Sequence, residues 1–142
     1  MQGALLPADD TCTGPGRSPA ISWDGVPEGT ESLVLILDDP DAPSGTFTHW
    51  IAYNISPGRR GLISGISETT LTENGIQMGV NSAGLQGYYP PCPPYGSTHR
   101  YIFRLYALDT DTGLPVVNRE SVDMVLSDHT IGVAEFDTLF RR

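Results

Sequence analysis

Three places in the chain carry side chains able to do chemistry together. Asp38, Asp39 and Asp41 stand at the end of an apolar run, His49 opens the next one, and His99 and Tyr101 follow a proline-rich stretch. Carboxylates accept hydrogen bonds, imidazoles accept or donate according to protonation, and a phenol does both. Such a set can hold a small polar ligand or move a proton. Adjacent aspartates also raise the pKa of a nearby histidine, so any attraction of the rings for negative charge is expected to strengthen as pH falls through the histidine range. Residues 87–96 read GYYPPCPPYG. Prolines fix φ and remove donors, which makes this loop a stiff wall whose remaining N–H groups can be aimed at a ligand.

The elements that must position these groups are short. The 16 glycines and 12 prolines break the chain into brief apolar segments, the pattern of a mainly β domain with few helices. Residues 33–37 (LVLIL) predict a strand buried on both faces near the centre of the structure. Residues 49–55 predict a second strand that pairs with it, bringing the acidic turn beside His49. Residues 99–109 predict the longest strand, with His99, Tyr101, Phe103 and Leu105 on one face and Arg100 and Arg104 on the other. The same alternation turns Trp50 away from His49. Residues 60–97 show little periodicity and predict a long irregular stretch with short strands at most. A helix is expected over residues 121–136, capped by Ser121, with Val122, Val125, Leu126, His129, Val133 and Phe136 on one stripe. His129 then reads as a core residue. With no repeat or linker, one domain is expected over residues 1–142.

Charge narrows the function. Among 142 residues there are 17 acidic and 8 basic side chains, all of the latter arginine, for a net charge of −9. Such a surface repels phosphate backbones and anionic bilayers, which argues against nucleic acid and against direct membrane docking. Apolar runs fall short of the ~20 residues of a membrane span, and the opening residues lack a leader pattern, so a soluble, cytoplasmic protein is expected. Cys12 and Cys92 form neither a metal motif nor CxxC. A buried inert thiol at Cys92 and a disulfide to Cys12 both stay open, the latter unusual in a reducing cytosol. No GxSxG, HExxH or Walker motif is present. No enzyme activity, cofactor or metal is therefore expected.

Four runs in one order and spacing carry a resemblance. They are residues 18–23 (SPAISW), 39–43 (DPDAP), 49–54 (HWIAYN), and 87–94 leading to His99-Arg100-Tyr101. Together they resemble the phosphatidylethanolamine-binding protein family, in its prokaryotic, Raf-kinase-inhibitor-like branch. The resemblance implies a central antiparallel β-sheet packed with a smaller sheet and a C-terminal helix. It also implies a small anion pocket lined by Asp39, Asp41, His49, Pro91, His99 and Tyr101, with Pro43 on the rim. The family's ligands are phosphate-like anions and the phosphatidylethanolamine headgroup, and its eukaryotic members act mainly by binding kinases or other proteins. Pro90 stands where family members commonly have glycine, and proline offers an anion no N–H.

Asp39 and Asp41 would repel a bare anion unless the histidines were protonated, so a zwitterion fits better. Its phosphate meets imidazole, phenol and N–H while an ammonium or hydroxyl meets a carboxylate. Asp38 is expected to face solvent, and Arg100 to pair with a buried carboxylate such as Asp41. The expected function is regulatory binding of a small phosphate-bearing or zwitterionic ligand. A module that inhibits a kinase or protease, and a hydrolase of a phosphorylated small molecule, are the alternatives. A protein partner and a homodimer stay open.

Overall fold

The predicted central strand is β3 (Ser32–Asp39), buried along its whole length. A computed structural model describes residues 4–66, 75–111 and 117–142. In it β3 lies between β4 (Phe47–Ile55) and β7 (Thr98–Leu108), antiparallel to both. β8 (Thr130–Arg141) pairs antiparallel with the far side of β7, and β1 (Ala4–Leu5) adds to β8 in parallel. β6 (Gln77–Met78) closes the other side, giving the order β1-β8-β7-β3-β4-β6. β2 (Ile21–Ser22) and β5 (Gly61–Leu62) form a separate two-stranded sheet.

The two faces of β3 explain its unbroken apolar run. Leu33, Leu35 and Leu37 pack with Trp50, Tyr101, Phe103 and residues of the small sheet, among them Ile21 and Leu62. Val34 and Ile36 pack with Ile51, Tyr53, Leu108 and, from the helix, Val122 and Leu126. Each such side chain contributes roughly 1.5–3 kcal/mol on burial, so the register of β3 is strongly specified. A slip by one residue would also exchange Asp38 and Asp39 between the faces.

The helix differs from the prediction. Helix α1 spans Arg119–His129, and its N-cap is Asn118, whose side chain accepts from the Ser121 amide while the Ser121 hydroxyl accepts from the Asn118 amide. This is a capping box, which places Ser121 one turn inside the cap. Residues 130–136, expected as helix, belong to β8. Thr130, Ile131 and Val133 are β-branched and suit a strand. The partner that claims them is β7, which β8 follows from Arg141 opposite Thr98 to Thr130 opposite Leu108. His129 is half exposed and bonds Asp109 Oδ1 at 2.8 Å, so it is a surface pair rather than a core residue. Residues 60–97 contain the short strands β5 and β6, while 67–74 of that stretch lie outside the described residues. Among the described residues, no helix is long and apolar enough to cross a membrane.

Candidate functional site

The predicted residues converge at one end of the sheet, and a break in β4 makes the convergence work. Leu37 lies opposite Trp50 but Asp38 lies opposite Thr48, leaving His49 as the extra residue of a β-bulge. Thr48 faces α1, where its hydroxyl donates to Asp38 Oδ1 at 2.8 Å. Trp50 joins the opposite core layer and packs edge-on against Tyr88. The bulge turns His49 onto that same side, edge-on to the Tyr101 ring with centroids 5.5 Å apart. Bulges commonly re-aim a side chain beside a functional site. His49 and Trp50 therefore share a face, contrary to the strict alternation expected from sequence.

Every site group but one is oriented by a second group. Asp39 is buried, accepts from His99 Nδ1 at 2.7 Å through Oδ2 and accepts from the Asp41 amide at 2.8 Å through Oδ1. His49 Nδ1 is 2.7 Å from the Tyr89 carbonyl oxygen, which can only accept, so Nδ1 carries the proton. Asp41 is exposed and accepts from the Arg100 backbone amide at 2.9 Å. The expected partner of Arg100 is thus found, but through the main chain. Pro91 is buried and Pro43 exposed at the turn. Of the loop's amides, Tyr89 N–H donates to the His49 carbonyl and Gly87 N–H to the Gly79 carbonyl, and Pro90 and Pro91 have none.

Three side chains present groups to a ligand. Both imidazoles have Nδ1 committed, and neither Nε2 has a protein partner among the described residues. The Tyr101 hydroxyl is buried and has no hydrogen-bond partner there. A buried hydroxyl without a partner costs roughly 1–3 kcal/mol, a cost that a bound acceptor would remove. Burial, followed by the charges of Asp39 and Asp41, pushes the Tyr101 pKa up, so the phenol keeps its proton and can donate. Tyr101→Phe is accordingly expected to leave urea stability unchanged or slightly raised while weakening ligand affinity roughly tenfold. A large loss of stability in the unliganded variant would contradict this assignment.

The histidine electrostatics correct one expectation. Burial lowers the His49 pKa below its ordinary 6.5, outweighing the raising effects of the Tyr89 carbonyl, Asp39 and Asp38. Asp38 does not face solvent either. It is 3% exposed, on the α1 side of the sheet, and accepts from Arg119 Nη1 at 2.6 Å and from Thr48, with Arg104 Nη1 at 3.7 Å. A cleft of about 360 Å³ opens there, lined by Asp38, Thr48, Arg104, Arg119 and Asp123 among others. Sequence reasoning missed Arg119 because its carboxylate partner is 81 residues away. Among the described residues, no group of three or more His, Cys, Asp and Glu side chains is arranged to hold a metal ion.

The fold and site together define a mainly β domain with a cluster of histidine, tyrosine and aspartate side chains at one end of its central sheet. Residues 1–141 match the family model for phosphatidylethanolamine-binding protein, and the chain belongs to that family. It is 46% identical over 138 residues to the UPF0098 protein of Methanothermobacter thermautotrophicus, covering 96% of this chain and 91% of that one. Among solved structures it is similar to a phosphatidylethanolamine-binding protein homologue from Chlamydia trachomatis. That match has a TM-score of 0.90 at 37% identity, covering 99% of this chain and 92% of the other. Escherichia coli YbcL, described as a member of the mammalian family, matches with a TM-score of 0.88 at 30% identity, covering 99% and 93%. This agreement bears out the expected architecture of a central sheet, a smaller sheet and a helix near the C-terminus.

Proposed function

We propose that the protein binds small phosphate-bearing groups, of the kind carried by phosphoethanolamine, through His49, His99 and Tyr101, in a regulatory rather than catalytic role. The observation that carries this reading is the buried Tyr101 hydroxyl, flanked by two imidazoles, with neither the hydroxyl nor either Nε2 having a partner among the described residues. Asp39 and Asp41 have a different part from the one expected. Both oxygens of Asp39 and one of Asp41 already accept hydrogen bonds, so these carboxylates orient His99 and the turn. An ammonium group would meet only the exposed edge of Asp41. Saturable thermal stabilisation by phosphoethanolamine, lost in His49→Ala and in His99→Ala, tests the reading; stabilisation that survives both substitutions overturns it.

The tautomers make binding proton-linked. With the proton on Nδ1, neutral His49 presents a lone pair at Nε2, which repels a phosphate oxygen. Protonation makes Nε2 a donor. The Tyr89 carbonyl and ring, Asp39, His99 and Tyr101 surround His49, Asp38 acts on it by charge from the other side of the sheet, and burial leaves the ring neutral at pH 7. Affinity therefore rises as pH falls below 6.5, approaching about tenfold per pH unit for each proton taken up. The probe should be glycerophosphoethanolamine, a diester, because a phosphate monoester itself titrates near pH 6. Equal affinity at about pH 7.5 and about pH 5.5 would remove the proton linkage.

A second reading has one specific support. A carboxylate that orients the Nδ1 of an imidazole, as Asp39 does for His99, is the arrangement of a general base. Turnover of a phosphoester panel, abolished by His99→Ala, would establish hydrolysis in place of binding.

A further inference from the structure

The loop that carries the Tyr89 carbonyl is clamped from outside the site. Cys12 and Cys92 form a disulfide with a Cα–Cα distance of 5.4 Å, and both residues are exposed. The bridge ties the segment after the 3-10 turn at Ala8–Asp10 to the proline loop. Two further hydrogen bonds join these segments beside it: Cys12 N–H to the Pro91 carbonyl at 3.1 Å, and the Tyr88 hydroxyl to the Asp10 carbonyl at 2.5 Å. The two sulfurs are not equivalent. Arg142 Nη1 lies 3.1 Å from Cys92 Sγ and 3.3 Å from the Pro93 carbonyl, and its guanidinium stacks 3.7 Å over the Tyr95 ring. No comparable cation stands at Cys12 among the described residues. A neighbouring guanidinium stabilises a thiolate, and a more stable thiolate leaves faster in exchange.

We propose that the Cys12–Cys92 bridge is a thiol-exchange site in which a small thiol forms a mixed disulfide at Cys12, and that its opening weakens ligand binding by releasing the Tyr89 carbonyl from His49. An incoming thiolate attacks Cys12 Sγ, forming a new S–S bond as the bond to Cys92 breaks. The electron pair leaves on Cys92 Sγ, beside Arg142. A second thiolate attacks the sulfur of the first and expels the Cys12 thiolate. Two thiols are thus oxidised to their disulfide, the protein cystine is reduced by two electrons, and the protons lost by the two thiols end on Cys12 and Cys92. The path to the site is short. Cys92 adjoins buried Pro91, and Tyr89 two residues further back holds His49 Nδ1. Freeing that carbonyl lets the imidazole rotate about its side-chain bonds, so Nε2 is no longer held where a phosphate oxygen would sit. Because both cysteines are exposed, a small thiol can reach the bridge from solvent without the domain unfolding.

The binding arm rests on the proposed function, and the exchange arm does not. Brief treatment of the oxidised protein with glutathione, trapping with iodoacetamide and peptide mass mapping should find glutathione on Cys12 and the alkyl group on Cys92. Arg142→Gln should slow this step roughly threefold, from about a one-unit change in leaving-group pKa. After full reduction, with a dispersed amide spectrum confirming that the chain is folded, the His49 imidazole nitrogen resonances should shift. The affinity for glycerophosphoethanolamine should also fall at least fivefold, as an order-of-magnitude expectation for losing one oriented donor. Glutathione on Cys92, or the same exchange rate in Arg142→Gln, overturns the assigned direction of attack. Unchanged His49 resonances in the reduced protein overturn the link to the site. Failure of the probe to bind either form counts against the proposed function, while the mapping and the His49 resonances still decide the exchange site.

Discussion

Cys12→Ser/Cys92→Ser should lower the unfolding free energy by about 4 kcal/mol. The bridge closes a separation of 80 residues, so it removes a wide range of conformations from the unfolded chain. In the chain-entropy view this is worth between the values for short and for 100-residue loops, roughly 3 to 4.7 kcal/mol. Little in the folded state opposes the estimate, because both cysteines lie at the surface and leave no buried cavity when replaced. With a urea m-value of about 2 kcal/mol/M, the unfolding midpoint should move down by about 2 M. A shift under about 0.5 M would mean that the unfolded chain is compact without the bridge. A domain of ordinary stability, about 5–15 kcal/mol, remains folded after such a loss. Reduction then acts first on the segment that the bridge holds.

The sheet was legible because its code is local. An apolar run between turn residues marks β3, alternation marks β7, and the Asp-Pro-Asp turn marks the link between β3 and β4. Residues 121–136 misled because Val122, Val125, Leu126, Val133 and Phe136 satisfy a helical stripe while 130–136 equally satisfy a strand. Periodicity alone cannot choose between them; the register with β7 does. Tertiary pairing overrode a weak helix signal at a point where Gly132 and three β-branched residues already disfavoured it.

The site divided along the same line. Its residues were named from the order of motifs, and the structure brings Asp39, His49, His99 and Tyr101 together. Their roles were not legible, because a role depends on which atom of each group is already taken. That Asp39 has no free oxygen, and that His49 donates to a carbonyl 40 residues away, are facts of long-range geometry. The bulge was equally invisible. A strict period of two puts His49 and Trp50 on opposite faces, and only the shift of pairing between Leu37 and Asp38 reveals the extra residue. The three aspartates look alike in sequence yet fall in three settings. Asp38 faces the helix, Asp39 faces the histidine site, and Asp41 lies at the exposed turn.

Arg119→Met should destabilise the protein by about 3 kcal/mol, at the lower end of the range for breaking a buried ion pair because the arginine keeps some access to water. Asp38, 4% exposed in its side chain, would lose its 2.6 Å partner and be left with Thr48 and the more distant Arg104. Arg104 is already committed to Glu135 at 2.7 Å, so it cannot fully replace the lost charge. The damage should reach the site, because Arg119 Nη1 also touches Thr48 Oγ1 at 3.1 Å, next to the bulged His49. Asp38→Leu alone should cost a similar amount, since it leaves a cation and the Thr48 hydroxyl short of an acceptor. The double variant Asp38→Leu/Arg119→Met should cost clearly less than the sum, because the uncompensated charge is gone and only packing and one hydroxyl remain to be satisfied. A urea double-mutant cycle measures this coupling, and additive losses would show that the two side chains act independently. In that case the apolar contacts of Val122, Val125 and Leu126 would hold α1 to the sheet without help from the ion pair, and Thr48 would need no charge beside it to keep the bulge in place.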